Sequence, residues 1–157
     1  MTDKHTPRLY LDIDGVLLAD NPRLRSGSKE YDGTRYAPEV LRRLGNTSLE
    51  LVWLTTWGAD EVSQLTTDLD VLHGGRQLKR GPGSDWKLSA VITDQTESPS
   101  PFVWADDRIS PEDVLILEAK LGRQNNQANH LLISPDEHCG ITKSHLAHIE
   151  AFARAYQ

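Results

Sequence analysis

The chain has 157 residues, with 17 Lys and Arg against 23 Asp and Glu, a formal net charge of -6, 38% hydrophobic residues and a mean hydropathy of -0.50. That length suits one domain, residues 1–157, around one sizeable core, and no apolar run approaches the roughly 20 residues of a membrane helix. The acidic balance argues against sequence-blind binding to nucleic acid, which relies on clustered Lys and Arg, though it leaves room for a local basic patch.

The polar start, MTDKHTPR, has no apolar signal-peptide core, and the lone cysteine, Cys139, cannot form an intramolecular disulfide. Both features lead to the expectation of a cytoplasmic protein in which Cys139 is an ordinary small residue. In chain order, Arg8 to Ile13 (RLYLDI) is nearly continuous and apolar and predicts a buried strand. Ala19 to Tyr36 is polar and rich in Gly, Asp and Arg, and predicts a small loop or hairpin insert. Pro38 to Leu44 predicts a short helix, and Leu49 to Leu54 a second buried strand. Ala59 to Leu69 places Val62, Leu65 and Leu69 at helical spacing. A weaker strand is expected near Val71 and Leu72, then a loop over Gly74 to Gly83, then a helix over Trp86 to Thr93.

Phe102 to Ala105 predicts another strand. Ser110 to Gly122 predicts a helix with a capping Ser110, Pro111 at its first position and Gly122 at its end. Leu131 to Ile133 reads as a strand, and a last helix is expected from Thr142, with Leu146, Ile149, Phe152 and Ala153 on one face. The alternation implies an α/β fold: a three-layer, Rossmann-like parallel sheet with helices on both faces. Such sheets bind ligands beyond the carboxyl ends of their strands.

Polar residues of particular kinds fall at that edge. Asp12 and Asp14 follow the first strand, Thr55 and Thr56 the second, and Asp106 and Asp107 the strand FVWA, while Lys87 can reach the edge from a helix start. Carboxylates about 4 Å apart repel by roughly 4 kcal/mol per pair at an effective dielectric of about 20, so they need compensation. Lys87 supplies one positive charge. A hard divalent cation with oxygen ligands would supply more, and the absence of a nearby His or Cys cluster points to Mg2+ rather than zinc. Thr55, Lys87 and backbone N–H groups at the Asp14–Gly15 turn would cradle a phosphoryl group.

The ordered set Asp12-Ile13-Asp14-Gly15-Val16, Thr55, Lys87 and Asp106-Asp107 resembles the haloacid dehalogenase (HAD) superfamily over about residues 8 to 110. The resemblance implies that Asp12 is the nucleophile of an aspartyl-phosphate mechanism and Asp14 the proton donor that later activates water. It implies that Thr55 binds phosphoryl oxygens, with Thr56 the alternative, and that Lys87 holds nucleophile and phosphate. Mg2+ would be held by the Asp12 side chain, the Asp14 backbone carbonyl and Asp106, with Asp107 acting directly or through water, and Gly15 lets the chain turn after the strand. An acid at Asp14 favours a phosphatase or phosphotransferase. The short intervals from Asp14 to Thr55 and from Thr55 to Lys87 hold no full cap, and LTTWG is most similar to the compact polynucleotide-phosphatase-like or RNA-repair-associated members.

The expected substrate is therefore a phosphorylated small molecule or macromolecular end. Nucleic acid is possible through Arg23, Arg25, Arg76, Lys79 and Arg80, although the net charge does not indicate it, and no membrane is expected. Taken singly, each residue has a plainer reading: an Asp pair as a turn or cap, Lys87 and the basic loop as solvated surface, and Trp53 and Trp104 as core. Trp57 reads as packing or as lining of the site, and His138, His145 and His148 as a solvent-facing helix side. Competing functions are a phospho-accepting receiver module and a phosphate-binding protein without efficient turnover. In receivers the acidic pair comes first and Lys last, whereas here Lys87 precedes the pair.

Overall fold

The computed structural model describes residues 6–21, 27–122 and 129–157. Strands β1 (Arg8–Leu11), β4 (Glu50–Trp53), β5 (Arg76–Gln77), β6 (Phe102–Ala105) and β7 (His130–Ile133) form one parallel sheet in the order β5-β4-β1-β6-β7. β1 is central, with Leu11 level with Trp53 on one side and Ala105 on the other. The residues that follow these strands therefore emerge together at one edge.

Strand alternation divides the core between two faces. Leu9, Leu11, Trp53, Val103 and Ile133 pack with α1 (Pro38–Gly45), α2 (Ala59–Leu69) and α5 (Lys143–Ala155). Tyr10, Val52, Phe102 and Trp104 pack with α3 (Trp86–Glu97) and α4 (Pro111–Leu121). The expected three layers are present. Among the described residues no helix is long and apolar enough to cross a membrane.

Helix ends follow local chemistry. The Ser110 hydroxyl accepts from the Asp113 N–H, and the Asp113 carboxylate accepts from the Ser110 N–H. Thr142 caps α5 in the same way, accepting from the His145 N–H. The insert between β1 and α1 contains an antiparallel hairpin, β2 (Lys29–Tyr31) with β3 (Thr34–Tyr36). Its turn is Asp32-Gly33, both at positive φ, as a tight hairpin requires. Arg23 and Arg25 lie outside the described residues.

The strand expected near Val71 and Leu72 is displaced. The chain leaves α2 through Asp70 and Leu72 in left-handed conformations, which breaks any extended run. The edge strand forms instead at Arg76–Gln77, where Gly75 slips against Trp53 and Leu51; a Cβ there would sit 2.8–2.9 Å from their side chains. The helix expected to end at Thr93 continues to Glu97.

At the start of the sheet, opposite the aspartates, lies a polar cluster that the sequence did not signal. Buried Arg8 donates to Glu50, Asp94 and Ser98, Tyr10 donates to Asp94, and Arg76 donates to Glu50 and Asp94. Arg76 is thus tied down at this end and not available at the edge that carries the aspartates. Burial works against the Asp94 charge, but Arg76, Tyr10 and Arg8 outweigh it and hold the carboxyl below its usual range. A carboxyl held low stabilises the fold above its unfolded pKa, and that stability is lost as pH falls through the lower folded value. Asp94→Ala is therefore expected to cost about 3 kcal/mol in urea unfolding at pH 7, because it leaves Arg8 partly uncompensated. The difference from wild type should shrink below about pH 4, where Asp94 of the unfolded chain begins to protonate while the folded carboxyl still holds its charge. A pH-independent difference would contradict this account.

Candidate active site

β1 delivers Asp12 and β6 delivers Asp106 side by side, because the Asp12 N–H donates to the Ala105 carbonyl at 3.1 Å. Both carboxylates are buried, at 6% and 2% exposure. Lys87, in the first turn of α3, reaches between them: its Nζ is 2.8 Å from Asp12 Oδ2 and 2.7 Å from Asp106 Oδ2. Asp12 Oδ1 accepts from the Ile13 N–H at 2.8 Å, and Asp106 Oδ1 from the Arg108 N–H at 2.9 Å. Each acid is held at both oxygens.

Asp107 completes a triad in which Asp12, Asp106 and Asp107 each offer an oxygen within 4.8 Å of the others. Burial, then Asp106, pushes Asp12 up to about 6, although Lys87 and the Ile13 N–H pull the other way. Asp107 is also raised, by burial and by Asp106. Burial alone would lower Lys87, but Asp12 and Asp106 raise it, so the ammonium is secure. One lysine thus leaves the triad short of positive charge. Hard oxygen donors, with no His or Cys among them, fit a divalent cation such as Mg2+.

After Asp12 the chain makes one tight turn, in which the Leu17 and Leu18 N–H groups donate to the Ile13 carbonyl. Asp14 is not one of the three carboxylates of the triad. It is exposed, and its Oδ2 accepts from Trp57 Nε1 at 3.0 Å. Gly15 sits at φ +74, and a Cβ there would lie 2.5 Å from Asp107 Oδ2. Gly15→Ala is expected to strain the turn by about 1–2 kcal/mol and to displace Asp107. Divalent-ion affinity, measured by calorimetry, should fall ~10-fold; unchanged affinity would show that Asp107 does not depend on this close approach.

Two residues beyond β4 comes Thr55, which is buried and whose hydroxyl accepts from the Trp57 N–H at 3.3 Å. Thr56 is exposed and lines a cavity of about 970 Å³ that also holds Asp12, Asp14, Gly15, Lys87, Asp106 and Asp107. The structure thus gathers the expected site residues at one edge, with Thr55 just beneath the cavity wall. Of the basic loop residues, Arg80 lines this cavity and Lys79 lines a separate groove. Trp57 was expected to pack or line the site; its indole fixes Asp14, a contact foreshadowed only by its place two residues beyond Thr55. Arg108 and the His138–Asp20 pair, at 3.0 Å, also line the cavity and were not anticipated. His145 is used internally, accepting from the Thr142 N–H.

A family model described as HAD domain in Swiss Army Knife RNA repair proteins matches residues 8–146. No curated protein and no solved structure matches the chain.

Proposed function

The chain belongs to the family of HAD domains in Swiss Army Knife RNA repair proteins, and from that premise we propose that it is a Mg2+-dependent phosphomonoesterase acting through an aspartyl-phosphate on Asp12. Membership implies phosphohydrolase-type activity in general. The single observation that carries the finer reading is the buried pair Asp12–Asp106 bridged by Lys87, with Asp14 beside it but outside the triad. A nucleophile must be ionised, and Lys87 together with a bound cation would offset the burial and the Asp106 charge that disfavour ionised Asp12. Asp14 stands outside that charge cluster on the exposed side of the turn.

Asp12, Asp106 and Asp107, with the Asp14 carbonyl, would hold the cation, which when bound neutralises charge on the triad and on the phosphoryl oxygens. A carboxylate oxygen of Asp12 attacks phosphorus, and the bond to the leaving oxygen breaks. Asp14 gives its proton to that oxygen, its carboxyl oriented by Trp57. Asp14, now a carboxylate, takes a proton from water; the water oxygen attacks phosphorus, the Asp12–phosphoryl bond breaks, and inorganic phosphate leaves. Lys87, Thr55 and Thr56 donate to phosphoryl oxygens, and Gly15 keeps the turn narrow enough for Asp107 to stay in place.

The substrate we favour is a terminal phosphate of a nucleic acid. The family description supports this, as does an insert that forms a hairpin rather than a cap domain. Phosphate release from p-nitrophenyl phosphate, a 3′- or 5′-phosphorylated oligonucleotide and a small sugar phosphate, each with Mg2+ and with EDTA, tests the reading. Expected are Mg2+-dependent release and the highest kcat/KM on the oligonucleotide. Equal rates in EDTA would overturn the metal assignment, and preference for the sugar phosphate would overturn the substrate class.

A further inference from the structure

We propose that Gln77, on the two-residue edge strand β5, is a positioning residue for the proton-transfer steps: its side-chain amide fixes the Trp57 carbonyl and, through the Trp57 indole, the Asp14 carboxyl. This rests on the phosphatase reading above and adds a residue that does not line the cavity.

The Asp14 carboxyl is exposed, and among the described residues it has one hydrogen-bond donor, Trp57 Nε1 at 3.0 Å. That bond occupies Oδ2 and leaves Oδ1 for the leaving oxygen and for water. A carboxyl with a single anchor is placed by whatever places the anchor. Trp57 stands in the turn between β4 and Gly58, the N-cap of α2. Its N–H donates to the Thr55 hydroxyl at a long 3.3 Å, whereas its carbonyl accepts from Gln77 Nε2 at 2.7 Å. The helix does not use that carbonyl, since the Val62 N–H donates to Gly58 instead. Among the described residues Gln77 is its one donor.

The base of this chain of contacts is rigid. Gln77 is level with Trp53 on β4, and the Leu78 N–H donates to the Trp53 carbonyl at 3.0 Å. The backbone under Gln77 is therefore fixed to the strand that leads into the turn. The tip is nearly as well held. A tryptophan side chain has two torsions, and the Trp57 ring is half-buried against the core, so fixing its backbone fixes its N–H. Such precision matters because a reacting group displaced by about 1 Å can lose on the order of 100-fold in rate.

The test variant is Gln77→Met, which keeps the side-chain volume and removes the donor. The protein has four tryptophans and so four indole N–H resonances in a proton–nitrogen correlation spectrum. Trp57→Phe identifies the Trp57 resonance by its loss, and Asp14→Ala shows where it lies once the carboxyl is gone. In Gln77→Met the Trp57 resonance is expected to move from its wild-type position toward the Asp14→Ala position. With Mg2+, kcat on a phosphorylated oligonucleotide should fall ~10-fold with little change in KM, because its leaving oxygen and the attacking water both need Asp14. Single-turnover release of p-nitrophenolate, which leaves without a proton, should slow less than ~2-fold. A Trp57 resonance that stays in place overturns the proposal. Equal slowing of the two reactions overturns it too, since a glutamine that merely closes the turn would disturb both alike. Should Gln77→Met not fold, Gln77→Asn, one methylene shorter, must give the same two results. If the wild type hydrolyses neither substrate, the phosphatase reading falls, and the resonance alone decides whether Gln77 holds the indole on Asp14.

Discussion

Asp12→Asn is expected to abolish turnover, lowering kcat on the order of 10⁴-fold or more, because an amide cannot serve as the attacking oxygen. The same substitution should not harm the fold. Asp12 is buried beside Asp106, and its charge is disfavoured enough to push its pKa to about 6. At neutral pH the ionised form is therefore a liability to the metal-free protein. An asparagine of nearly the same shape removes that repulsion, so the metal-free variant should unfold at the same temperature as wild type or higher. Lost activity with unchanged or improved stability marks a residue kept for chemistry at a cost in stability. Retained activity would remove Asp12 from the mechanism.

Lys87→Met should fail in both respects. It removes the ammonium 2.8 Å from Asp12 and 2.7 Å from Asp106 while keeping most of the side-chain volume. Two buried carboxylates then face each other without their counter-charge, which should destabilise the metal-free protein by about 3 kcal/mol at neutral pH. Loss of a preorganised donor to the phosphoryl oxygens should lower kcat ~10³-fold. Mg2+ should restore part of the stability but not the rate. The double variant Asp12→Asn, Lys87→Met should regain much of the lost stability, because the neutral amide no longer needs the ammonium; thermal unfolding of the four proteins closes the cycle. Additive losses would show that the Asp12–Lys87 pair is not energetically coupled.

These opposite effects on stability come from contacts that the sequence outlines only in part. Runs such as RLYLDI and FVWA are legible because parallel strands covered on both faces are apolar throughout, and their polar successors must then share an edge. Hydrophobic pattern alone therefore puts Asp12, Asp14, Thr55 and Asp106 together. β5 is not legible in this way: it has two residues, lies in a polar Gly-rich loop, and owes its place to Gly75 passing against Trp53. The role of Arg76 is hidden for a related reason. A loop arginine looks free in sequence, and only the pairing of Val52 with Arg76 carries it to Glu50 and Asp94 at the far end of the sheet. The grip of Trp57 on Asp14 and the unpartnered N–H of Trp104 depend on side-chain direction, which hydrophobic pattern does not encode.

Phosphorylation of Asp12 during turnover can be trapped in Asp14→Asn. p-Nitrophenolate leaves without needing a proton, so this variant should complete the first step with p-nitrophenyl phosphate and Mg2+. It should then stall, because no carboxylate remains at position 14 to activate water. Intact-mass spectrometry after rapid acid quench should show one phosphoryl group per chain, and fragmentation should place it on Asp12. A one-turnover burst of p-nitrophenolate should accompany it. Sustained turnover with no covalent phosphoryl group, or a phosphoryl group on any other residue, would contradict the mechanism.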